Sequence, residues 1–163
     1  IPALPARQGF VLSEVRAAGA AGHHDHRGAG GGRGRLALRG VALGGRHQDR
    51  LVRPVGAEVV ARSIAHSIYV AIRHDDRQVA FARVISDQAT FAYLADVYVL
   101  EEHRGAGLSH AMLDYLDNHP LLQGLRRWAL FTQDAHRLYA KHGWSGFPHP
   151  ERLMVRDDPA VYQ

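Results

Sequence analysis

Three consecutive runs rich in apolar residues predict three β-strands, and the third of them alternates with a two-residue period. The runs occupy residues 67–75, 77–87 and 90–100, and Asp75-Asp76 is predicted to form the turn between the first two. In the third run the alternation predicts two faces, the first with Tyr93, Ala95, Val97 and Val99 and the second with Leu94, Asp96, Tyr98 and Leu100.

A longer period follows the third run and predicts a helix over residues 108–119. Its apolar stripe consists of Leu108, Ala111, Met112, Tyr115 and Leu116. A fourth strand is predicted over 126–133, then a short helix over 134–143 that opens at Asp134, and a weaker strand over 151–156. Antiparallel strands followed by strand–helix units predict an α+β domain with a mixed, mainly antiparallel sheet flanked by helices.

The first part of the chain has a different composition from the rest. Residues 1–62 contain 12 of the 17 glycines, one of the 13 aromatic residues, and ten arginines against four acidic residues. Gly-rich sequence without an apolar period builds little core, so we expect much of residues 17–50 to be irregular or weakly packed. We therefore separate an atypical Gly/Arg-rich segment, 1–62, from a folded core, 63–163. A shifted reading frame in GC-rich DNA is one hypothesis for this segment.

Composition also limits the chemistry and the partners. The absence of cysteine excludes disulfides and thiolate chemistry, and a single lysine, Lys141, makes a Schiff-base mechanism a poor hypothesis. No apolar run reaches membrane-spanning length and no secretory pattern is visible, so we expect a cytoplasmic protein without a membrane partner. The His-rich run 23–26 lacks a second ligand cluster, so we expect no metal site. The arginines between residues 27 and 53 lack interleaved aromatic residues, which makes nucleic-acid binding the weakest hypothesis.

The stretch from Arg104 through Gly105, Ala106 and Gly107 lies between a predicted strand and a predicted helix. A Gly-rich turn at a helix start directs unpaired backbone N–H groups, here extending to Leu108 and Ser109, toward one point where they can bind an anion. The alternative is a tight turn with an ordinary helix cap. The dinucleotide pattern Gly-x-Gly-x-x-Gly is excluded because residue 110 is His.

At these residues the chain resembles the GNAT acyltransferase superfamily, in which Arg/Gln-x-x-Gly-x-Gly/Ala binds the diphosphate of acetyl-coenzyme A. Arg104 and Gly107 match, and Ser109 replaces the final Gly/Ala. A second motif, Leu-Tyr-x-x-x-Gly-Phe, is matched by Leu138, Tyr139, Gly143 and Trp144, and the resemblance covers about residues 63–155. It implies a GNAT-like fold and acetyl-coenzyme A as co-substrate, bound by residues 104–109 and by the backbone of Val97, Tyr98 and Val99.

The resemblance also implies a reaction and roles for side chains. The activity would be acetyl transfer to a primary amine of a small molecule or peptide, with Tyr139 as general acid; homodimers are common in the family. Asp96, ahead of Glu151, would be the general base, or else a carboxylate held by Arg83 or by a neighbouring backbone donor. The acceptor pocket would include Phe91, Tyr93, Trp144 and residues 147–152. A non-catalytic module that binds an acyl-coenzyme A or another phosphate ligand is the alternative function.

Overall fold

A computed structural model describes residues 9–16, 56–158 and 160. Within these ranges there are five strands: β1 (Val11–Arg16), β2 (Ile68–His74), β3 (Arg77–Ser86), β4 (Phe91–Val99) and β5 (Arg127–Ala129). The helices are α1 (Ala57–Ala65), α2 (Leu108–Asp117) and α3 (His136–Ala140), with short 3-10 turns at Glu101–His103, Pro120–Leu122 and Pro150–Arg152. In the part of the chain covered by these ranges, no helix is long and apolar enough to cross a membrane.

The five strands form one sheet in the order β1-β2-β3-β4-β5. The first three pairs are antiparallel, whereas β4 and β5 are parallel and pair only from Phe91 opposite Arg127 to Tyr93 opposite Ala129. β5 therefore separates from β4 after the first third of β4. Among the residues that the structure covers, the second half of β4 has a strand partner on its β3 side alone.

A β-bulge interrupts β4 at Asp96. Arg83 of β3 pairs with Ala95 and Phe81 pairs with Tyr98, so Ala82 lies opposite two residues, Asp96 and Val97. Asp96 has a φ of 54°, in the left-handed region that Asp tolerates better than most side chains. The inserted residue shifts the alternation by one position.

Because of this bulge, the prediction of two uninterrupted faces along β4 is wrong. Ala92 and Leu94 before the bulge, and Val97 and Val99 after it, pack in the core cluster that contains α2. Tyr98 packs instead with the cluster that contains Ile64 of α1. Even-numbered positions thus face α2 before the bulge and α1 after it.

Two apolar layers cover the sheet. The larger layer joins α2 to the central strands; its fully buried members include Ile72, Val84, Leu108, Met112, Leu113 and Leu116. The smaller layer lies against α1 and consists of Ile64, Tyr69, Ala71 and Phe81. Helix α2 directly follows β4, so its N-terminus lies at the end of the central strand where β5 has separated.

The predicted α+β class and mixed sheet are confirmed, and β2, β3, β4 and α2 lie where the sequence pattern predicted them. The sequence reading missed β1, which pairs with β2 over six residues. Helix α1 crosses the boundary that we placed at residue 62. Our expectations for residues 17–50, the His-rich run 23–26 and the arginines between 27 and 53 fall outside the ranges that the structure covers.

Three predictions near the end of the chain are wrong in detail. β5 is only three residues long, because the chain leaves β4 after Ala129. Asp134 does not cap α3; the N-cap residue is Ala135, and its N–H donates to the Thr132 hydroxyl at 3.0 Å. Residues 151–156 form no strand, since a 3-10 turn occupies the start and the apolar side chains that follow, Leu153, Met154 and Val155, are all exposed.

Candidate functional site

The turn from Arg104 to Gly107, here called the glycine turn, joins β4 to α2 in a left-handed backbone. Gly105 has a φ of 79° and Gly107, the N-cap of α2, a φ of 76°. A Cβ built on either residue would meet no atom within 4 Å. Glycine is therefore required here for its backbone conformation, and the space above both α-carbons is open.

The first turn of α2 presents unpaired N–H groups. The first hydrogen bond into this helix runs from the Ala111 N–H to the Gly107 carbonyl at 3.1 Å, and no side chain caps the helix. Within residues 56–158, the N–H groups of Leu108, Ser109 and His110 have no acceptor. Such groups, at the positive end of a helix dipole, bind phosphate oxygens.

A cavity of about 280 Å³ lies at this turn. Six of the predicted cofactor contacts line it: Val99, Arg104, Gly105, Gly107, Leu108 and Ser109. Three further lining residues, His103, His110 and Leu138, were not predicted. His110 directly follows the last position of the first motif and Leu138 begins the second, so a closer reading of the motif flanks would have found both.

The side chains of the other predicted contacts lie away from the cavity. Val97 and Ala106 pack against the main core. Tyr98 lies on the α1 side of the sheet, where its ring stacks on Phe81 and its hydroxyl accepts a hydrogen bond from Gln78 at 2.6 Å. Burial raises the pKa of Tyr98, with an opposing effect from that hydrogen bond. A role in cofactor binding for Val97 and Tyr98 is thus restricted to their backbone.

Arg104 stabilises the glycine turn from its exposed side. Its Nε donates to the Val99 carbonyl at 3.3 Å, which ties the turn to the end of β4. The sequence left the position of this side chain open. In the structure Arg104 lines the cavity and its guanidinium bonds to the end of β4, so it adds positive charge near the first turn of α2.

Tyr139 lies on α3, one residue after the cavity-lining Leu138. Its side chain is buried in the main core, and its ring contacts that of Trp144 at 6.0 Å between centroids. Burial raises the pKa of the Tyr139 phenol above its ordinary value, and the charge of Asp134 adds to the rise. The phenol is therefore protonated at neutral pH.

Asp96 forms an ion pair with Arg83. The Arg83 Nε donates to Asp96 Oδ2 at 2.6 Å, and the Arg83 Nη1 donates to the Ser67 hydroxyl at 3.0 Å. Both charged side chains are mostly buried, with 12% of Arg83 and 22% of Asp96 exposed. The structure thus contains the Arg83 contact that we weighed as the alternative to a catalytic base, and Oδ1 of the same carboxylate is not part of that bond.

An aromatic surface lies beside Asp96 on the α1 side of the sheet. The Tyr93 ring contacts that of Phe131 at 5.9 Å, and the Arg127 guanidinium lies 5.6 Å from the centre of the Phe147 ring. Burial raises the pKa of Tyr93, the Asp96 charge adds to this and Arg83 opposes it. Trp144, predicted for the same pocket, instead packs against Trp128 in the main core.

Comparison with known proteins gives a consistent picture. Residues 65–145 match the family model for an acetyltransferase (GNAT) domain. A Xanthomonas campestris pv. campestris protein of known structure, described as an acetyltransferase of the GNAT family, is 55% identical; the match covers 64% of this chain and 74% of that protein, with a TM-score of 0.61.

A second relative and one further protein of similar fold match parts of the chain. A Gibberella zeae protein described as an acetyltransferase is 46% identical over 68 residues, which is 40% of this chain and 37% of that protein. The match thus spans little more than a third of this relative. A Clostridium acetobutylicum structure, described as a predicted acetyltransferase with acetyl-CoA, is 19% identical over 61% of this chain and 71% of that one, with a TM-score of 0.50.

Proposed function

The chain belongs to the GNAT acetyltransferase family, and from this premise we propose that it transfers the acetyl group of acetyl-coenzyme A to a primary amine. The acceptor in this proposal is a small molecule or a peptide. Acetyl-coenzyme A supplies a thioester, and the protein contributes binding, orientation and two proton transfers.

The observation that carries the proposal is the glycine turn with the cavity above it. Left-handed Gly105 and Gly107 leave open space, α2 offers three N–H groups without acceptors, and Arg104 adds a positive charge. This donor set fits a diphosphate in both charge and geometry. The fold is shared with the Clostridium acetobutylicum acetyltransferase described with acetyl-CoA. Residues 104–109 would therefore hold the diphosphate of the co-substrate.

The free side of β4 would hold the amide-containing arm. β5 leaves β4 after Tyr93, so the backbone of Val97, Tyr98 and Val99 has a β-strand on one side only, within residues 56–158. Peptide N–H and C=O groups on such an edge pair with the amides of an extended ligand. An N–H group of this segment would also stabilise the oxyanion that develops when the amine attacks.

Tyr139 would donate a proton to the departing sulfur. Its buried phenol stays protonated at neutral pH, and a phenol can protonate a thiolate, whose conjugate thiol has an ordinary pKa of about 8.5. Its neighbour Leu138 lines the same cavity as the glycine turn, so α3 lies beside that turn. Tyr139 would then regain its proton from water.

Asp96 would take the proton of the acceptor amine through Oδ1, directly or through one water molecule. Arg83 holds the carboxylate by Oδ2 and fixes its orientation. The aromatic surface of Tyr93 and Phe131 would contact the carbon skeleton of the acceptor beside it. Before that transfer, the same Oδ1 would accept a hydrogen bond from the acceptor ammonium and so orient it.

Two measurements test this proposal on the intact protein. Titration calorimetry with coenzyme A measures whether the cavity binds the co-substrate, and release of free thiol from acetyl-coenzyme A, with a panel of primary amines, measures transfer. We expect coenzyme A to bind, and we expect at least one amine of the panel to stimulate thiol release. Binding without amine-dependent thiol release would replace the enzyme with a non-catalytic binding module, and absence of binding would refute both functions.

A further inference from the structure

Two histidines beside the glycine turn share a hydrogen bond. His110 Nδ1 lies 2.8 Å from His142 Nε2, and the rings stack with centroids 5.1 Å apart at 22°. His110 lies on the first turn of α2 and lines the cavity, whereas His142 follows α3. The pair therefore connects the diphosphate end of α2 to the helix that carries Tyr139.

Two carboxylates lie on the other side of His142. Its Nδ1 is 3.5 Å from Asp114 Oδ1 and 3.4 Å from Asp117 Oδ2, and only 8% of the His142 side chain is exposed. Burial raises the pKa of Asp117, and the charge and hydrogen bond of His142 partly offset that rise. Across the ranges that the structure covers, no three His, Cys, Asp or Glu side chains are placed to hold one metal ion. The two imidazoles and two carboxylates of this cluster are close enough to share a proton through hydrogen bonds.

The geometry determines what one added proton does. Because carboxylates face His142 Nδ1, that atom carries a hydrogen and Nε2 accepts when the ring is neutral. In the neutral pair His110 must then donate from Nδ1, which leaves its Nε2 without a hydrogen. Adding one proton places a hydrogen on His110 Nε2 whichever ring bears the charge. If His142 becomes the cation, it donates from Nε2 and His110 changes tautomer.

We propose that His110 is a proton-dependent ligand of the co-substrate's diphosphate, with His142 as the positioning residue that sets its tautomer. This inference rests on the proposed function and adds a regulation to the same site. Proton uptake by the pair would convert His110 Nε2 from an acceptor, which repels phosphate oxygen, into a donor that binds it. The other titratable or charged groups at the cavity are His103 and Arg104.

The experiment is titration calorimetry with coenzyme A between about pH 5.5 and 8, where histidines titrate. We expect the intact protein to bind coenzyme A about tenfold more weakly at the upper end than at the lower end. Repeating the titration in buffers of different ionisation enthalpy measures the protons taken up on binding. Uptake of a fraction of one proton near pH 7 is expected, and dephospho-coenzyme A, which keeps the diphosphate but lacks the titrating phosphate, gives this measurement on the intact protein without a variant.

The variant is His110→Gln, and the control is His136→Gln at an exposed position of α3. Coenzyme A has a phosphate that titrates in the same range, so the measurement is the difference between variant and control. We expect His110→Gln to lose most of the pH dependence and the proton uptake, and His136→Gln to keep both. His142→Gln tests positioning, because it should flatten the pH profile while leaving His110 in the cavity.

The outcomes separate this inference from the function on which it rests. If coenzyme A binds with the same pH dependence and proton uptake in His110→Gln as in the control, the inference is wrong and the acetyltransferase proposal survives. If coenzyme A does not bind the intact protein at any pH, the proposed function itself fails. Circular dichroism tests whether each variant is folded. If a variant is unfolded, the number of protons taken up by the intact protein on binding dephospho-coenzyme A still tests the inference, and no uptake would contradict it.

Discussion

The Nε of Arg83 donates to Oδ2 of Asp96 at 2.6 Å, across two neighbouring strands and beside a β-bulge. The same guanidinium reaches the Ser67 hydroxyl at 3.0 Å, just after α1. One side chain thus connects β3, the bulge of β4 and the end of α1. Removing it would leave a mostly buried carboxylate without its partner, and such losses are among the most costly single changes.

We expect Arg83→Met to lower the free energy of unfolding by about 2–3 kcal/mol, because the mostly buried Asp96 carboxyl group then loses its hydrogen-bonding partner. Arg126→Met, at an exposed arginine, is the matched control and should change stability by less than about 0.5 kcal/mol. Urea unfolding of both variants is the measurement. Equal stabilities would show that the Arg83–Asp96 contact contributes nothing to the fold.

Gly107→Ala should affect both stability and ligand binding. A φ of 76° disfavours any side chain, so we expect a loss of about 1–2 kcal/mol, although nothing lies within 4 Å of the new Cβ. Gly124→Ala, with a φ of 71° and equally open space, should lose a similar amount. Only Gly107→Ala places a methyl group in the glycine turn, so the affinity of this variant for coenzyme A should fall about tenfold.

Calorimetry with coenzyme A on the two alanine variants separates backbone strain from ligand contact. Because both glycines lie in the left-handed region, any effect of general destabilisation appears in Gly124→Ala as well. Equal affinities in Gly107→Ala and Gly124→Ala would contradict the placement of a diphosphate at the glycine turn.

Tyr139→Phe should lower kcat at least about 100-fold with little change in KM for acetyl-coenzyme A, since it removes the proton donor and keeps the ring. Tyr69→Phe, at another buried tyrosine with a raised pKa, serves as control. A general acid works only while protonated, so activity should fall at high pH as the raised pKa of Tyr139 is passed, above about pH 10. Unchanged kcat in Tyr139→Phe would remove this residue from the mechanism.

Asp87 should stabilise the turn between β3 and β4 in a pH-dependent manner. The Thr90 hydroxyl donates to Oδ2, and the N–H groups of Phe91, Thr90 and Ala89 donate to Oδ1. These bonds hold the pKa of Asp87 well below its ordinary value. A depressed pKa gives stability that is present above the ordinary value, about 4, and is lost as pH falls through the lower one.

We therefore expect Asp87→Ala to be less stable than the native protein at pH 6, with the difference shrinking progressively below about pH 4. Urea unfolding at a series of pH values measures this, with Asp157→Ala at an exposed position as control. A difference that stays constant down to pH 2 would mean that the carboxylate charge is not what stabilises the turn.

The parts of the site that the sequence predicted are those that local rules determine. Glycine permits the left-handed backbone that Gly105 and Gly107 adopt, and the unpaired N–H groups follow from four-residue helical bonding. β2 and β3 could be predicted from the sequence because each contains a short run of apolar residues that the sheet buries. Neither inference needs any knowledge of distant contacts.

The parts that escaped prediction depend on long-range placement. The bulge at Asp96 exists only in the register between β4 and β3, and the pairing of His110 with His142 joins residues 32 positions apart. β1 escaped notice because its pairing with β2 crosses more than fifty residues of sequence. Asp134 looked like a helix cap, yet the Thr132 hydroxyl accepts from the helix start instead.

The extra residue in β4 explains how an acidic side chain can lie in a central strand. If β4 had no bulge, Asp96 would point in the same direction as Leu94, into the layer under α2, whose apolar side chains cannot pair with a carboxylate. The insertion turns it toward Arg83 on the opposite surface. In the same strand without the bulge, every later position would also change sides, and Val97 and Val99 would leave the interior. One extra residue thus places the apolar side chains on one face of the sheet and the Arg83–Asp96 ion pair on the other.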